Sequence, residues 1–188
     1  TEMEKATQEY KRWCTLVQDQ QLQEELSALA GCPREIADRF SRPLAFGTGG
    51  MRASMGAGTS RINLYTIGRA TRGLATYLHK HYTAPSVAIA YDSRIHSLLF
   101  AQHVAQILSE EGILVHIYRR LMPTPALSFA VRYLSCQAGI VLTASHNPST
   151  DNGYKVYNHQ GCQITNAAAD EIAADIKEQD YFTATNKK

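Results

Sequence analysis

Short apolar runs alternate with amphipathic helical segments through the second half of the chain, and this alternation constrains the fold more than any other feature. Buried strands are predicted at Ser86–Tyr91, 113–118 and Ala138–Leu142, each bounded by turn residues. Helical apolar spacing marks the segments around them: Ile67, Ala70, Thr71, Leu74 and Leu78; Phe100, Val104, Ile107 and Leu108; Ala126, Phe129, Ala130 and Tyr133; and Ala168, Ile172 and Ile176. This order predicts an α/β fold, a three-layer α/β/α sandwich with a mixed, mostly parallel sheet and an antiparallel edge strand at 154–158.

Capping residues predict where these helices begin and end. Asn63 is expected to cap the first helix, and Ser97 the second, which Gly112 ends. The pair Thr124-Pro125 is typical of a cap followed by a first helical turn, so a third helix is predicted to open there.

The first 42 residues are predicted to form a helical arm. Apolar residues fall at helical spacing in two groups, and Gly31-Cys32-Pro33 ends the second, after which Glu35 to Phe40 adds one more turn. The two groups are Tyr10, Trp13, Cys14 and Val17, and Leu22, Leu26 and Leu29. We therefore predict an arm at 1–42 and an α/β/α domain at 43–188.

Composition excludes several classes of function. A net charge of +2 in 188 residues, without a Lys/Arg cluster, argues against nucleic-acid binding, and no apolar run reaches membrane-spanning length. The four cysteines, Cys14, Cys32, Cys136 and Cys162, lack metal-ligand spacing, which favours reduced thiols and a cytoplasmic location. The chain opens on Thr1 and closes on a polar stretch, 183–188, which we interpret as ends cut from a longer protein.

A potential nucleophile follows the strand Ala138–Leu142, in the run Thr143-Ala144-Ser145-His146-Asn147-Pro148. The carboxyl ends of strands are where open α/β sheets bind ligands, so Ser145 is expected at a binding edge. Pro148 keeps the residue before it out of the helical region, which predicts a loop. The apolar run 154–158 can return beside the strand and bring the ammonium of Lys155 back to this loop.

A second chemical motif is the glycine-rich turn Phe46-Gly47-Thr48-Gly49-Gly50-Met51-Arg52. Glycines let the backbone approach an anion closely and Arg can bind phosphate oxygens, so Gly49, Gly50 and Arg52 are candidate phosphate-binding residues. The turn is not a dinucleotide fingerprint, because Arg52 replaces the third glycine and no convincing strand precedes it. It also lacks the Gly-Lys-Ser/Thr ending of a nucleotide P-loop. A flexible turn that binds nothing is the alternative interpretation.

Two reactions are conceivable for Ser145. A hydrolase pair with His146 is disfavoured, because adjacent residues of an extended segment point in opposite directions and the Gly-x-Ser-x-Gly motif is absent. A phosphoryl carrier fits better, since Arg52, Lys155, His146 and loop amides can balance the charge of a phosphoserine. Lys155 could move a proton there if burial or neighbouring cations lower its pKa.

Taken together, these motifs resemble the first domain of the α-D-phosphohexomutases, the phosphoglucomutase and phosphomannomutase superfamily. The residues of these motifs are most similar to those of bacterial phosphoglucomutases, in the branch that also contains phosphopentomutases. The resemblance runs from about residue 46 to residue 176. The motifs that carry it are Phe46-Gly47-Thr48-Gly49-Gly50-Met51-Arg52, Tyr91-Asp92-Ser93-Arg94, Pro123-Thr124-Pro125, Thr143-Ala144-Ser145-His146-Asn147-Pro148 and Asn152-Gly153-Tyr154-Lys155.

The resemblance implies a mechanism. Phosphorylated Ser145 would give its phosphoryl group to a hexose monophosphate, and the bisphosphate intermediate would reorient and return the other group. Glucose 1-phosphate and glucose 6-phosphate would thereby interconvert, with glucose 1,6-bisphosphate as activator. Lys155 and His146 are the implied acid/base residues, and a phosphoserine oxygen at Ser145 is an implied Mg²⁺ ligand.

Further roles follow from the same resemblance. Arg52, Gly49, Gly50, Asn147 and Arg94 are the implied phosphate-binding residues. For Arg94 an ion pair with a nearby acid such as Asp92, which would stiffen the loop, is an equal alternative.

The family enzymes have four domains, and this sequence resembles only the first. The other Mg²⁺ ligands belong to an Asp-rich loop of domain II, and the sugar-selecting and distal phosphate loops belong to domains III and IV. We therefore expect the 188 residues alone to have little or no turnover, with domains II–IV and a hexose phosphate as partners. Apolar surface left uncovered would favour a homo-oligomer or an exchanged arm. A non-catalytic phosphosugar-binding or regulatory module is one alternative, and a serine hydrolase, which an organophosphonate would label, is another.

Overall fold

The computed structural model describes residues 1–183, which contain seven helices and five strands. The helices are α1 (Glu2–Leu16), α2 (Gln20–Ala28), α3 (Pro33–Phe40), α4 (Leu64–His81), α5 (Ser97–Glu110), α6 (Thr124–Tyr133) and α7 (Asn166–Lys177). The strands are β1 (Met51–Ser54), β2 (Ser86–Tyr91), β3 (Leu114–Ile117), β4 (Ala138–Leu142) and β5 (Asp151–Asn158). Most of the polar stretch interpreted as a cut end, residues 184–188, lies outside the described residues. In residues 1–183 no helix is both long and apolar enough to cross a membrane.

The five strands form one mixed sheet in the order β1-β5-β4-β2-β3. The pairings of β2 with β3 and with β4 are parallel, whereas β5 runs antiparallel to both β4 and β1. The predicted α/β/α sandwich with a mixed sheet is therefore confirmed. The antiparallel strand predicted at 154–158 lies within β5, which begins three residues earlier at Asp151. Strand β1 pairs with Asp151–Tyr154 and is therefore the last strand on this side of the sheet, although only the first residue of the predicted segment has a partner on β1. Strand β1 had no signal in the sequence, since it is only four residues long and directly follows a glycine turn.

The two faces of the sheet pack against different helices. Alternate residues of β2 separate between two apolar clusters, Val87 and Ile89 in one and Ala88 and Ala90 in the other. The first cluster joins the sheet to α4, α5 and α7, and the second joins it to α6. This arrangement leaves the carboxyl ends of β2 and β4 at a common edge.

The predicted helix starts are confirmed in one case and corrected in two. Asn63 caps α4 through a reciprocal capping box with Thr66. Ser97 is the first residue of α5 instead of its cap, and its hydroxyl donates to Asp92 Oδ1 at 2.7 Å. Thr124 likewise begins α6 without capping it through its side chain.

The buried face of α6 differs from the prediction. Phe129 and Tyr133, predicted to be buried, are 56% and 75% exposed and stack on each other with centroids 5.4 Å apart. Ala130 is buried as predicted, and the helix packs through this residue together with Leu127 and Val131. The small side chains of Ala88 and Ala90 make this close approach feasible, and aliphatic residues fill the space better than large rings.

The predicted helical arm is confirmed and packs around Trp13, which is completely buried. The indole ring makes edge-to-face contacts with Phe40, Tyr65, Tyr181 and Phe182, with centroids 5.4 to 5.6 Å apart. Arg12 adds hydrogen bonds of 2.6 Å to both carboxylate oxygens of Asp180. The arm is therefore anchored to the segment that follows α7. The boundary at 42/43 stays a prediction.

Candidate active site

Ser145 lies on the loop between β4 and β5, residues 143–150, which we call the serine loop. The residue is exposed and adopts a φ of 56°, in the left-handed region that non-glycine residues seldom occupy. Its amide donates to Thr143 Oγ1 at 3.0 Å, and the Thr143 amide donates to the Gly153 carbonyl at 3.1 Å. These bonds hold the Ser145 hydroxyl at the rim of the sheet, as the sequence predicted.

Lys155 on β5 contacts Ser145 directly, with Nζ 2.6 Å from Oγ. Lys155 pairs with Val141 of β4, so the antiparallel return of the chain places it beside the loop that β4 feeds. Burial lowers the pKa of Lys155, the positive charge of Arg52 lowers it further, and Asp92 partly opposes both effects. A lysine with a lowered pKa loses its proton more readily, which suits it to accept the proton of Ser145.

The glycine-rich turn lies against the same strand. Gly50 has a φ of 77°, and a Cβ atom there would lie 1.9 Å from the carbonyl oxygen of Tyr154. The turn leads into β1, where Arg52 is paired with Gly153 and is exposed. Cross-strand partners share a face, as do alternate residues of one strand, so Arg52 and Lys155 lie on the same face of the sheet. The phosphate-binding role of Gly49 and Gly50 stays a prediction.

Asn147 links the serine loop to the strands beneath it. Its side-chain nitrogen donates to Asp151 Oδ2 at 2.9 Å, and Ser54 Oγ donates to Asp151 Oδ1 at 3.0 Å. The hydrogen bond from Asn147 is the main cause of a lowered pKa at Asp151. The predicted phosphate contact of Asn147 stays a prediction, and the structure adds this bracing contact.

The guanidinium of Arg94 lies against the backbone of the serine loop. Its four terminal N–H groups donate to main-chain carbonyl oxygens of Ser145 (2.6 Å), Asn147 (2.8 Å), Pro148 (2.8 Å) and Asp151 (3.2 Å). Its Nε lies 3.5 Å from Asp92 Oδ2. This geometry matches the loop-stiffening alternative, and a direct phosphate contact would require Arg94 to give up one of these bonds.

Sequence reasoning named Asp92 only as a possible ion-pair partner of Arg94, and it did not single out Asn152. Asp92 follows β2 and accepts hydrogen bonds from the Arg94 amide and from the Ser97 hydroxyl. Asn152 is completely buried, and its side-chain nitrogen donates to the Ile95 carbonyl and to Ser97 Oγ, both at 3.0 Å. The position of Asp92 directly after a buried strand was a usable signal. For Asn152 the only signal in the sequence was its place in the Asn-Gly-Tyr-Lys motif.

The remaining predictions concern His146 and the metal. His146 is exposed beside Ser145, and its acid/base role stays a prediction. In residues 1–183 no group of three His, Cys, Asp or Glu side chains could hold a metal ion. The carboxylates of Asp92 and Asp151 are engaged in bracing the loop. The described residues therefore do not form a Mg²⁺ site by themselves.

Comparison with known proteins identifies the family. Residues 43–182 match the family model "Phosphoglucomutase/phosphomannomutase, alpha/beta/alpha domain I". The chain belongs to this family. The match confirms the resemblance drawn from the motifs, and it covers both the glycine-rich turn and the serine loop.

Individual relatives agree with this assignment. A phosphoglucomutase of Staphylococcus haemolyticus (strain JCSC1435) is 47% identical over 137 residues, and one of Staphylococcus aureus (strain MRSA252) is 42% identical over 144 residues. These matches cover 73% and 77% of this chain but 25% and 26% of the relatives, so the chain spans about a quarter of their length.

A solved structure supports the fold. A crystal structure of a Thermus thermophilus protein, assigned as a phosphomannomutase, superposes with a TM-score of 0.68 at 31% sequence identity. The similarity covers 74% of this chain and 31% of that one. The mixed five-stranded sheet with its helices is thus a phosphomutase domain I fold.

Proposed function

We propose that Ser145 carries a phosphoryl group in a phosphoglucomutase-like reaction that interconverts glucose 1-phosphate and glucose 6-phosphate through a bisphosphate. The observation that carries this proposal is the 2.6 Å contact between Lys155 Nζ and Ser145 Oγ, on a sheet face that also bears Arg52. Membership of the family and the phosphoglucomutase names of the relatives support it. The enzyme class proposed is an intramolecular phosphotransferase.

The chemistry divides among three side chains. Lys155 in its amine form accepts the hydroxyl proton as Ser145 Oγ attacks phosphorus in the sugar bisphosphate. The Oγ–P bond forms, the bond between phosphorus and the sugar oxygen breaks, and that oxygen takes a proton from an acid, the role proposed for His146. Arg52 stabilises negative charge on the transferring group, because preorganised positive charge supplies much of the catalysis in phosphoryl transfer.

Several partners complete the proposal. Glucose 1,6-bisphosphate is the proposed activator, since it would load Ser145, and a hexose phosphate is the substrate. Mg²⁺ would neutralise phosphate charge when bound to phosphorylated Ser145, with further ligands from a domain II like that of the family. The described residues supply too few ligands, so we assign no step to the ion. A cytoplasmic location is proposed because all four cysteines are free thiols.

We also propose that the 188 residues alone have little or no mutase turnover, since the chain spans about a quarter of its relatives. A coupled glucose 6-phosphate dehydrogenase assay measures this turnover. A rate close to that of a full-length relative would contradict the proposal.

Phosphorylation of Ser145 is tested separately by intact mass after prolonged incubation with glucose 1,6-bisphosphate. We expect one added phosphoryl group on the unmodified chain and on Ser149→Ala, and none on Ser145→Ala. Ser149 is a matched control because it is an exposed serine on the same loop. Equal phosphorylation of Ser145→Ala would refute the assignment, and so would an unmodified chain that gains no phosphoryl group.

A further inference from the structure

We propose that Arg94 is a positioning residue for this phosphoryl transfer, which draws backbone carbonyl oxygens away from the phosphoryl group and leaves the loop amides to face it. The inference rests on the proposed function of Ser145, and it replaces direct phosphate binding by Arg94 with action through the backbone of the serine loop.

The hydrogen bonds of the loop carry the inference. The terminal N–H groups of Arg94 are already used, because they bond four carbonyls, including that of Ser145 itself at 2.6 Å. Two other carbonyls are also engaged, since Ala144 accepts from the Asn147 amide at 3.1 Å and Thr150 accepts from the Met55 amide at 2.9 Å. The negative ends of these backbone dipoles are therefore turned to partners within the protein.

The amides of the loop have a different pattern. Those of His146, Ser149 and Thr150 have no hydrogen-bond acceptor within residues 1–183, and Pro148 has no N–H. Backbone N–H groups in turns are common ligands of phosphate, whereas a carbonyl oxygen repels it. The amides of Thr143, Ser145 and Asn147 are bonded within the protein, and in residues 1–183 the carbonyls of His146 and Ser149 accept no hydrogen bond. The polarity that a phosphoserine needs therefore comes from the engaged carbonyls of Ser145, Asn147 and Pro148 beside the unengaged amides of His146, Ser149 and Thr150.

Arg94 is itself held firmly enough to impose this arrangement. Its side chain is only 15% exposed and lies between the loop and Asp92. Asp92 is in turn bonded by the Arg94 amide at 2.9 Å and by Ser97 Oγ at 2.7 Å. The left-handed backbone of Ser145 costs about 1 kcal/mol or more, and such a conformation persists only when its surroundings fix it.

Lysine cannot replace this arrangement. A guanidinium presents a planar fork of donors, whereas an ammonium is a compact point charge on one nitrogen. Arg94→Lys therefore keeps the positive charge under the loop and loses most of the carbonyl bonds, which separates the effect of geometry from that of charge.

The experiment compares Arg94→Lys, Arg94→Ala and Arg12→Ala in the full 188-residue chain. Arg12 is the control because it is also a hydrogen-bonded arginine but lies on the arm, paired with Asp180. Hydrogen exchange reports the order of residues 145–151, and intact mass reports how fast glucose 1,6-bisphosphate phosphorylates Ser145. Thermal melting shows whether each variant folds, and Arg94→Lys carries the test if Arg94→Ala does not.

We expect both Arg94 variants to exchange loop amides faster and to accept a phosphoryl group at least about tenfold more slowly, which corresponds to about 1.4 kcal/mol. Guanidinium ion at low concentration should partly restore Arg94→Ala, whereas ammonium should not. Arg12→Ala should behave like the unmodified chain in both measurements.

Three results would overturn the inference: unchanged loop exchange in Arg94→Ala, unchanged phosphorylation in Arg94→Ala, or full activity in Arg94→Lys, which would leave charge as the only contribution. If the unmodified chain accepts no phosphoryl group, the proposed function fails. The exchange data then decide separately whether Arg94 orders the loop.

Discussion

The ammonium nitrogen of Lys155 lies 2.6 Å from the hydroxyl oxygen of Ser145. The two residues come from different elements, and the register of β5 on β4 brings them together. A serine hydroxyl is a weak nucleophile until a base takes its proton. Under the proposed function, Lys155 in its amine form would take that proton across this contact.

The pH dependence of phosphorylation should report Lys155. Burial and Arg52 lower its pKa, so we expect the rate of Ser145 phosphorylation to rise with pH and to level off below the ordinary lysine value of 10.5. Lys155→Arg keeps a cation that stays protonated, so it should be slow at every pH and should lack the rise. A rise of the same size in Lys155→Arg would show that another group is the base.

The lowered pKa of Lys155 also predicts how the free energy of unfolding changes with pH. The pKa of Lys155 is lower in the folded state than in the unfolded chain, so its burial penalises folding below the folded pKa. This penalty is relieved as the pH rises toward 10.5. Titrating the free energy of unfolding against pH should therefore give a more favourable slope in this range than for Lys155→Met, and an identical slope would contradict the shift.

The glycine turn should tolerate a methyl group at one glycine and not at another. Gly50→Ala places a Cβ atom 1.9 Å from the Tyr154 carbonyl at a φ of 77°, whereas a Cβ atom at Gly47 meets nothing within 4 Å. We expect Gly50→Ala to lower the free energy of unfolding by about 2 kcal/mol or more and Gly47→Ala to change it by less than about 1 kcal/mol. Urea denaturation measures both, and equal values would show that the turn does not pack on β5.

The arm should contribute to stability through Trp13. Trp13→Ala removes a completely buried ring and should cost about 3 to 5 kcal/mol by urea denaturation. Tyr133→Ala is the control, because that ring is 75% exposed and its loss should cost less than about 1 kcal/mol. A small effect of Trp13→Ala would mean that the arm is not docked in solution.

Exposed leucines near the site should promote self-association. Leu98, Leu99 and Leu121 are 47%, 44% and 57% exposed and line one groove beside Arg94. Because contiguous apolar surface favours association, we expect sedimentation to show dimers at high concentration. The double variant Leu98→Lys, Leu121→Lys should be monomeric, and dimers of equal strength would place the interface elsewhere.

The part of the site that depends on strand order could be predicted from the sequence. Apolar runs marked β4 and β5, and their closeness along the chain predicted that Ser145 and Lys155 lie together, which the fold confirms. The cap at Asn63 was equally clear, since an N-cap acts within its own helical turn.

The parts that could not be predicted depend on distant contacts. Arg94 donates hydrogen bonds to carbonyl oxygens that lie 51 to 57 positions further along the chain. Every residue has a backbone carbonyl, so the sequence does not indicate which of them Arg94 contacts. Strand β1 forms because it pairs with β5, and a segment of four residues is too short to show a strand pattern in the sequence. The exposure of Phe129 depends on the small residues of β2 that bring α6 close. In each case tertiary packing overrides the local pattern.

The central claim is that Ser145 holds a phosphoryl group and passes it on, and a single-turnover transfer experiment tests it most directly. The chain is first phosphorylated with glucose 1,6-bisphosphate, freed of sugar and then mixed with glucose 1-phosphate, while intact mass and the released sugar are followed. We predict that the added phosphoryl group leaves Ser145 as glucose 1,6-bisphosphate appears. A phosphoryl group that never reaches Ser145, or that leaves only as inorganic phosphate, would contradict the account.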